Sequence, residues 1–362
     1  MNLTRRELGR FVAAGTMLRF APRVRAAEEK RRIGYCIIGL GRISMDHFMP
    51  AVKMSHHSRI TGLVSGHRDK AERMAAEYGV PASSIYSYEN CDQMAGNKDI
   101  DAVYIALPNN MHAEYTIRAA KAGKHVLCEK PMATTVEDSQ AMIDACRAAG
   151  RKLMIAYRCH LEPTNLRAIQ LIREGKLGAI QAIESAFGFN CAAGEWRLSR
   201  NMAGGGPLMD VGIYSLNACR YLAGEEPVSV EGYSSVIDKD GRFAEVEESL
   251  SWTMKFPSGI VASCCTTYGG TMTGFFRVHG SKGEMLVQPA FNYDGLRLRA
   301  EIEGQPPIDE PNFARDPSNF LAEADHFAEC ILEDKEPKTT GEEGLRDMKL
   351  MTEIYRSCGL RP

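Results

Sequence analysis

At 362 residues the chain is long enough for about two domains of ordinary size. Its 44% hydrophobic and 25% charged residues are those of a folded globular protein, which excludes a disordered tail, a collagen-like chain and a coiled coil. With 44 Lys plus Arg against 46 Asp plus Glu, the net charge of -2 gives no general attraction to phosphates, and no nucleic-acid partner is expected.

Residues 1–26 read unlike the rest. Thr4-Arg5-Arg6-Glu7-Leu8 is followed by a mildly apolar stretch through Phe11, Val12, Ala13, Ala14, Met17 and Leu18, then by Pro22 and the small-residue site Val24-Arg25-Ala26. This pattern resembles a bacterial Tat export signal, which implies the export machinery as a partner and a periplasmic destination reached already folded. Arg10 and Arg19 interrupt the stretch, so stable membrane insertion is not expected. The alternative is a basic amphipathic helix on a cytoplasmic protein. The eleven cysteines form no CxxC pair, and they read as core packing rather than as a metal or redox site. Export of a folded chain would close that core before it meets an oxidising compartment.

From Ile33 onward, short apolar runs alternate with amphipathic helical stretches, the pattern of a parallel sheet with crossover helices. Strands are expected at Ile33 to Ile38, Arg59 to Ser65, Ala102 to Leu107, His125 to Cys128 and Lys152 to Tyr157. Helices are expected at Lys70 to Tyr78 and Met111 to Ala122, with Thr135 and Asp138 forming a capping box for another. Directly after the first strand stands Gly39-Leu40-Gly41-Arg42-Ile43-Ser44. Gly39 permits a tight turn and Gly41 a close backbone approach to a pyrophosphate at a helix N-terminus; the alternative is a tight turn with no ligand. At the tip of the second strand the chain reads Ser65-Gly66-His67-Arg68-Asp69-Lys70, without the acid there that would bind ribose hydroxyls. A hydroxyl and two cations suit a 2′-phosphate, which points to NADP.

Two later segments fall at strand ends, where open α/β sheets hold ligands. They are Leu107-Pro108-Asn109, leading to His112, and Cys128-Glu129-Lys130-Pro131. Lys130 reads either as a cation beside the reacting centre or as a strand-end charge in water. Farther on, the glycine run at 204–206 precedes a helix on which Asp210 and Tyr214, at i and i+4, share a face. The run reads as a close approach of backbone to ligand. A phenol is a poor base at neutral pH unless a cation stabilises its phenolate, a role open to Lys130. The alternative is a helix N-terminal acid and a half-buried aromatic. Beyond a helix at Asn165 to Glu174, strands are expected at Ser229 to Ile237, Glu247 to Phe256, Ile260 to Tyr268 and Phe275 to Gly280, with hairpin signals at Asp240-Gly241 and Ser258-Gly259. Thr340 and Glu343 are expected to cap a final helix.

GLGRIS, LPNNMHAEYTIRAAKAGKHVLCEKPMATT, LMIAYRCH and AGGGPLMDVGIY together resemble the Gfo/Idh/MocA oxidoreductase family, in particular its glucose-fructose oxidoreductase branch. The resemblance covers nearly all of the chain from Ile33. It implies an α/β fold, with an N-terminal Rossmann dinucleotide-binding domain over 27–157 and a C-terminal α+β domain over 158–362. The second domain carries a large, mainly antiparallel sheet for substrate binding and oligomerisation, and its last helix packs back on the first. By the resemblance Lys130, Asp210 and Tyr214 are catalytic: Lys130 is the lysine of the EKP motif, Asp210 orients the sugar and Tyr214 gives and takes the proton. Cofactor contacts are implied for Gly39, Gly41, Arg42, Ile43, Ser65, Lys70, Leu107, Asn109, His112, Glu129, Lys130, Arg158, Trp196, Arg197 and Tyr293. No metal is expected. A homo-oligomer, dimer or tetramer, is implied, although Ala27 to Arg32 are too short for the branch's long N-terminal arm. The expected activity is oxidation of an aldose at C1 to its lactone by tightly bound NADP that then reduces a second sugar. The alternatives are an NADP-exchanging aldose or polyol dehydrogenase and an NAD-dependent glycoside hydrolase.

Overall fold

The structure is a computed structural model that describes residues 31–361, so the expected export signal lies outside the described residues. The first half builds a six-stranded sheet from β1 (Ile33–Ile38), β2 (Ser58–Val64), β3 (Ile85–Tyr86), β4 (Ala102–Ile105), β5 (His125–Glu129) and β6 (Leu153–Ala156). Its order is β3-β2-β1-β4-β5-β6 with every pair parallel. All six residues of β1 are buried, as a strand covered on both faces must be. Chain order reverses between β1 and β4, which opens a crevice at their carboxyl ends. The expected strands fall within two residues of these bounds. β3 was not anticipated, because two residues carry no periodicity. Helices run Arg68–Tyr78, His112–Lys121 and Val136–Ala148, the last capped by the Thr135 hydroxyl, which accepts from the Asp138 N–H at 3.0 Å.

The second half builds an eight-stranded sheet from β7 (Ile180–Gly188), β8 (Ser229–Ser235), β9 (Ser249–Lys255), β10 (Val261–Thr267), β11 (Met272–Gly280), β12 (Gly283–Val287), β13 (Arg297–Ile302) and β14 (Ile308–Pro311). Its order is β14-β13-β12-β11-β7-β10-β9-β8, and only β7 with β10 is parallel. Alternating burial along β9 and β10 shows one covered face, against which the helix Ile213–Ala223 packs. Two turn expectations divide here. Ser258-Gly259 does turn the β9–β10 hairpin, with Gly259 at φ +96°. Asp240-Gly241 instead sits inside the long connection from β8 to β9, where Arg242 donates to the Cys191 carbonyl at 2.6 Å and ties the loop to another segment. β7, β12, β13 and β14 were not anticipated; β7 interrupts its alternation and β14 is largely exposed.

The last helix, Gly341–Ser357, packs against the helix Val136–Ala148 and β6, next to a bridge between Met154 and Thr340. The expected capping box does not form there, because the Thr340 hydroxyl makes no cap bond. Glu343 turns instead to buried Arg220, whose Nη1 donates to it at 2.7 Å and to Asp347 at 2.6 Å. A buried guanidinium needs acceptors more than the helix end needs a second cap. All eleven cysteines are free thiols, with Cys264 in the core and Cys265 half-buried. Among the described residues no helix is long and apolar enough to cross a membrane, and no His, Cys, Asp and Glu group is arranged to hold a metal.

Candidate active site

A cavity of about 860 Å³ opens at the carboxyl ends of β1, β4, β5 and β6 and is closed on its other side by residues of β7 and of the segments around Trp196, Asp210 and Phe291. Gly41, Arg42, Ile43, Leu107, Asn109, His112, Glu129, Lys130, Arg158, Trp196, Arg197, Asp210, Tyr214 and Tyr293 all line it. Gly39, Ser65 and Lys70 do not, and lie in or beside the turns that follow β1 and β2.

The turn after β1 has the shape of a phosphate cradle. Gly39 has φ +98°, and a Cβ on it would meet the Ala106 carbonyl oxygen at 2.4 Å, so only glycine fits. Nothing lies within 4 Å of a Cβ built on Gly41, which leaves the backbone there open to a ligand. Ser44, where dinucleotide turns often carry a third glycine, is buried and donates its hydroxyl to the Gly39 carbonyl at 2.6 Å, closing the turn itself. The helix beyond begins with a π-helical turn, Ile43–Phe48, and the N–H groups of a first turn have no intrahelical acceptor. Lys70 reaches back to this turn and donates to the Leu40 carbonyl at 3.3 Å, whereas the Ser65 hydroxyl is engaged by the N–H of His67 at 3.1 Å. Open backbone at Gly41, free first-turn N–H groups and a nearby ammonium fit a phosphate-bearing dinucleotide.

Across the crevice, Lys130 is the hub. Its Nζ donates to the Asp210 carbonyl at 2.7 Å and to the Asp210 carboxylate at 3.1 Å, and lies 4.9 Å from the centre of the Tyr214 ring. The contact with Tyr214 is through the ring face. Arg158 approaches the same ring at 5.2 Å and Tyr293 at 4.6 Å, with its Nη1 donating to the Asn292 carbonyl at 3.1 Å. Burial works against the Lys130 charge, but Tyr214, Asp210 and Glu129 outweigh it and keep the ammonium protonated. Burial likewise opposes the Asp210 carboxylate, yet Lys130, Arg197 and the hydrogen bonds from Arg197 and Tyr268 hold it well below the usual carboxylate range. The site is therefore charged on both sides at neutral pH.

One sequence expectation changes form here and one fails. Asp210 and Tyr214 do not share one uninterrupted α-helix: Asp210 lies in a π-helical turn, Leu208–Gly212, and Tyr214 in the α-helix that follows. A π turn still leaves i and i+4 on nearly the same side, and both side chains line the one cavity, with Lys130 in contact with each. The glycine run before them is not a ligand approach. A Cβ on Gly205 would meet the Tyr355 hydroxyl at 2.2 Å and one on Gly206 the Glu247 carbonyl oxygen at 2.5 Å. The run is small because Tyr355 and the buried Glu247 pack against it, Glu247 accepting the Gly206 N–H at 3.0 Å.

The remaining residues hold the walls. His112 is buried with Nδ1 2.8 Å from the Pro131 carbonyl and Nε2 3.0 Å from that of Leu107, joining the ends of β5 and β4. Asn109 donates to the Ala203 carbonyl at 2.8 Å, across to the second half of the chain. Glu129 accepts from the Tyr104 hydroxyl at 2.7 Å, and burial raises its carboxyl above the usual range. Sequence reasoning missed three residues. Tyr268, at the end of β10, donates to Asp210 at 2.9 Å; Glu195 pairs with Arg42 at 3.1 Å; and Glu323, fully buried, is pushed well up by burial and then by the charge of Glu129. None stands in a motif, and only the periodicity of strand and helix could have marked Tyr268 and Glu323 as inward-facing.

Residues 33–157 match the model of an oxidoreductase family with an NAD-binding Rossmann fold, and residues 169–360 match that family's C-terminal alpha/beta domain. The chain is 34% identical over 332 residues to a D-xylose 1-dehydrogenase [NADP(+)] of Haloarcula marismortui, covering 90% of this chain and 91% of that one. It is 29% identical over 320 residues to a 1,5-anhydro-D-fructose reductase of Ensifer adhaerens, covering 85% and 91%. Among solved structures, an aldose-aldose oxidoreductase from Caulobacter crescentus complexed with glycerol superposes with a TM-score of 0.87 at 44% identity, over 91% of this chain and 98% of that one.

Proposed function

We propose, from the premise that this chain belongs to the Gfo/Idh/MocA oxidoreductase family, that it is an NADP-dependent sugar oxidoreductase. It oxidises an aldose at C1 to the lactone and, keeping its cofactor, reduces a second sugar. The observation that carries the reading is the contact of Lys130 with both Asp210 and the Tyr214 ring at the crevice between β1 and β4. The likeness to an aldose-aldose oxidoreductase and to an NADP-linked D-xylose dehydrogenase supports an aldose as substrate.

The first-turn N–H groups at Gly41 to Ile43 would hold the pyrophosphate and Lys70 the 2′-phosphate, while Arg158 and Tyr293 face the nicotinamide end. The nicotinamide, when bound, supplies the acceptor and later the donor of hydride. Tyr214 takes the proton of the C1 hydroxyl as the C–H bond breaks, and Lys130 and Arg158 offset the negative charge that this needs on its oxygen. Asp210, fixed by Lys130, Arg197 and Tyr268, orients a sugar hydroxyl. In the second half-reaction the same groups run in reverse, with Tyr214 returning the proton to the acceptor's carbonyl oxygen. Export by the Tat pathway favours retention, because a compartment without a free NADP pool could not replace a lost cofactor.

The test is an absorbance spectrum of extensively dialysed protein, with glucose or xylose and then fructose added and no external nucleotide. A reduced-nicotinamide band that rises with the aldose and fades with the second sugar is the expected result. A band that needs added NADP supports an exchanging dehydrogenase of the D-xylose type instead, and no band under either condition overturns the sugar reading.

A further inference from the structure

The segment from Asn190 to Ser199 leaves the eight-stranded sheet and brings Glu195 beside the turn after β1. Its start is fixed to the second half of the chain, where Arg242 donates to the Asn190 side chain at 2.7 Å and to the Cys191 carbonyl at 2.6 Å. Gly194, at φ +80°, then redirects the backbone just before Glu195. The two carboxylate oxygens of Glu195 face opposite ways. One accepts from Arg42, the residue after Gly41, at 3.1 Å; the other lies 3.5 Å from Arg197 Nη1. Arg197 stacks on Trp196 at 4.8 Å and donates through Nε to Asp210 at 2.8 Å, and Asp210 in turn receives Lys130. Five alternating charges, Arg42, Glu195, Arg197, Asp210 and Lys130, thus run from the dinucleotide turn to the reacting centre. The side chains pass from 79% exposed at Arg42 to 12% at Lys130, so the chain enters the site from solvent.

We infer that Glu195 is a positioning residue that fastens this segment across the dinucleotide turn, slows release of the nucleotide, and holds Arg197 where Arg197 orients Asp210. This rests on the NADP reading of the preceding section. Without Glu195, Arg42 and Arg197 lose the anion between them, and Arg197 is left to share Asp210 with Lys130 alone. A carboxylate beside a phosphate site repels the ligand, so if Glu195 acts only as a local charge its removal must tighten binding.

The experiment loads wild type, Glu195→Gln, Arg42→Gln and the double variant with NADPH and follows its fluorescence on mixing with excess NADP. At low salt Glu195→Gln is expected to release NADPH faster than wild type by up to about fivefold, the upper end for an exposed ion pair. The difference should vanish at about 0.5 M salt, where screening removes such pairs. The double variant should be no faster than Arg42→Gln alone, since Glu195 is inferred to slow release through its contact with Arg42, its contact with Arg197 bearing on Asp210 instead. A Glu195→Gln release rate equal to or below that of wild type, an acceleration that survives salt, or additive effects in the double variant each overturn the inference while leaving the functional reading standing. A wild type that binds no NADPH overturns the functional reading and this inference with it.

Discussion

Tyr214 and Tyr268 both reach the Lys130–Asp210 pair, but they do so with different parts of the side chain. Tyr268 commits its hydroxyl to Asp210 at 2.9 Å, and burial, followed by the Asp210 charge, raises its phenol well above the ordinary value, so it stays a donor. Tyr214 presents its ring to Lys130 and Arg158 on the wall of the cavity, and the proposed function gives its oxygen the proton. The two should therefore fail differently. Tyr214→Phe is expected to cut turnover by roughly a hundredfold or more with cofactor still bound, as loss of a general acid-base does. Tyr268→Phe removes one hydrogen bond to a charged group, and should raise the aldose KM by about tenfold with a smaller effect on kcat. Steady-state kinetics of the two variants checks this; equal losses in kcat would mean that the proton had been assigned to the wrong tyrosine. The place of Lys130, Asp210 and Tyr214 on the cavity wall was legible because each stands in a recognisable string. Tyr268 was not, since its partner lies 58 positions away and nothing in a strand's own pattern names the residue it will face.

At the scale of elements, the two helix caps show how local chemistry and tertiary demand compete. Thr135 and Thr340 carry the same signal, a hydroxyl three residues before an acid, yet only Thr135 makes the cap bond. In the last helix the acid Glu343 is taken by Arg220, and Asn217 adds a bond to Asp347 at 2.9 Å, so the helix end is held by a buried charge cluster rather than by its own cap. Thr135→Ala should cost about 1 kcal/mol of stability, the usual value for a lost N-cap. Thr340→Ala should cost less than half of that, because no cap bond is lost. Urea midpoints of the two variants would decide, and equal losses would show that Thr340 caps its helix after all. The π-helical turns at Ile43–Phe48 and Leu208–Gly212 were equally beyond the periodicity. A single widened turn leaves the apolar pattern of a helix almost unchanged while rotating the side chains that follow.

For the whole molecule, the junction between the two sheets carries a pH dependence. His160 is buried beside this junction with Nε2 2.7 Å from the side-chain oxygen of Asn217, while Asn217 spends its amide on Asp347 and Glu343. Because that acceptor is an oxygen, the imidazole must donate through Nε2, which its neutral form does. Burial is the main cause that lowers its pKa to about 4, with Lys338 and Arg220 adding to it and Glu343 and Asn217 opposing. A histidine whose folded pKa lies below the ordinary 6.5 binds its proton more readily when unfolded, so stability is full above about 6.5 and falls as pH drops toward 4. Between pH 7.5 and 5 this one group should remove about 2 kcal/mol. His160→Gln, which keeps a donor for Asn217, should flatten the pH dependence of the urea midpoint by that amount; an unchanged slope would place the titration elsewhere. The parallel sheet with its crossover helices, the glycine turn after β1, the strand-end position of Lys130 and most strands to within two residues follow from the residues in order along the chain. Periodicity, turn chemistry and short motifs are properties of contiguous residues. That Glu195 meets Arg42 across 153 positions, that Tyr268 fixes Asp210 and that the glycine run serves packing emerge only when the two sheets are assembled. Those contacts depend on the order and register of two sheets, and a buried charge finds its partner only once the fold has excluded water from around it.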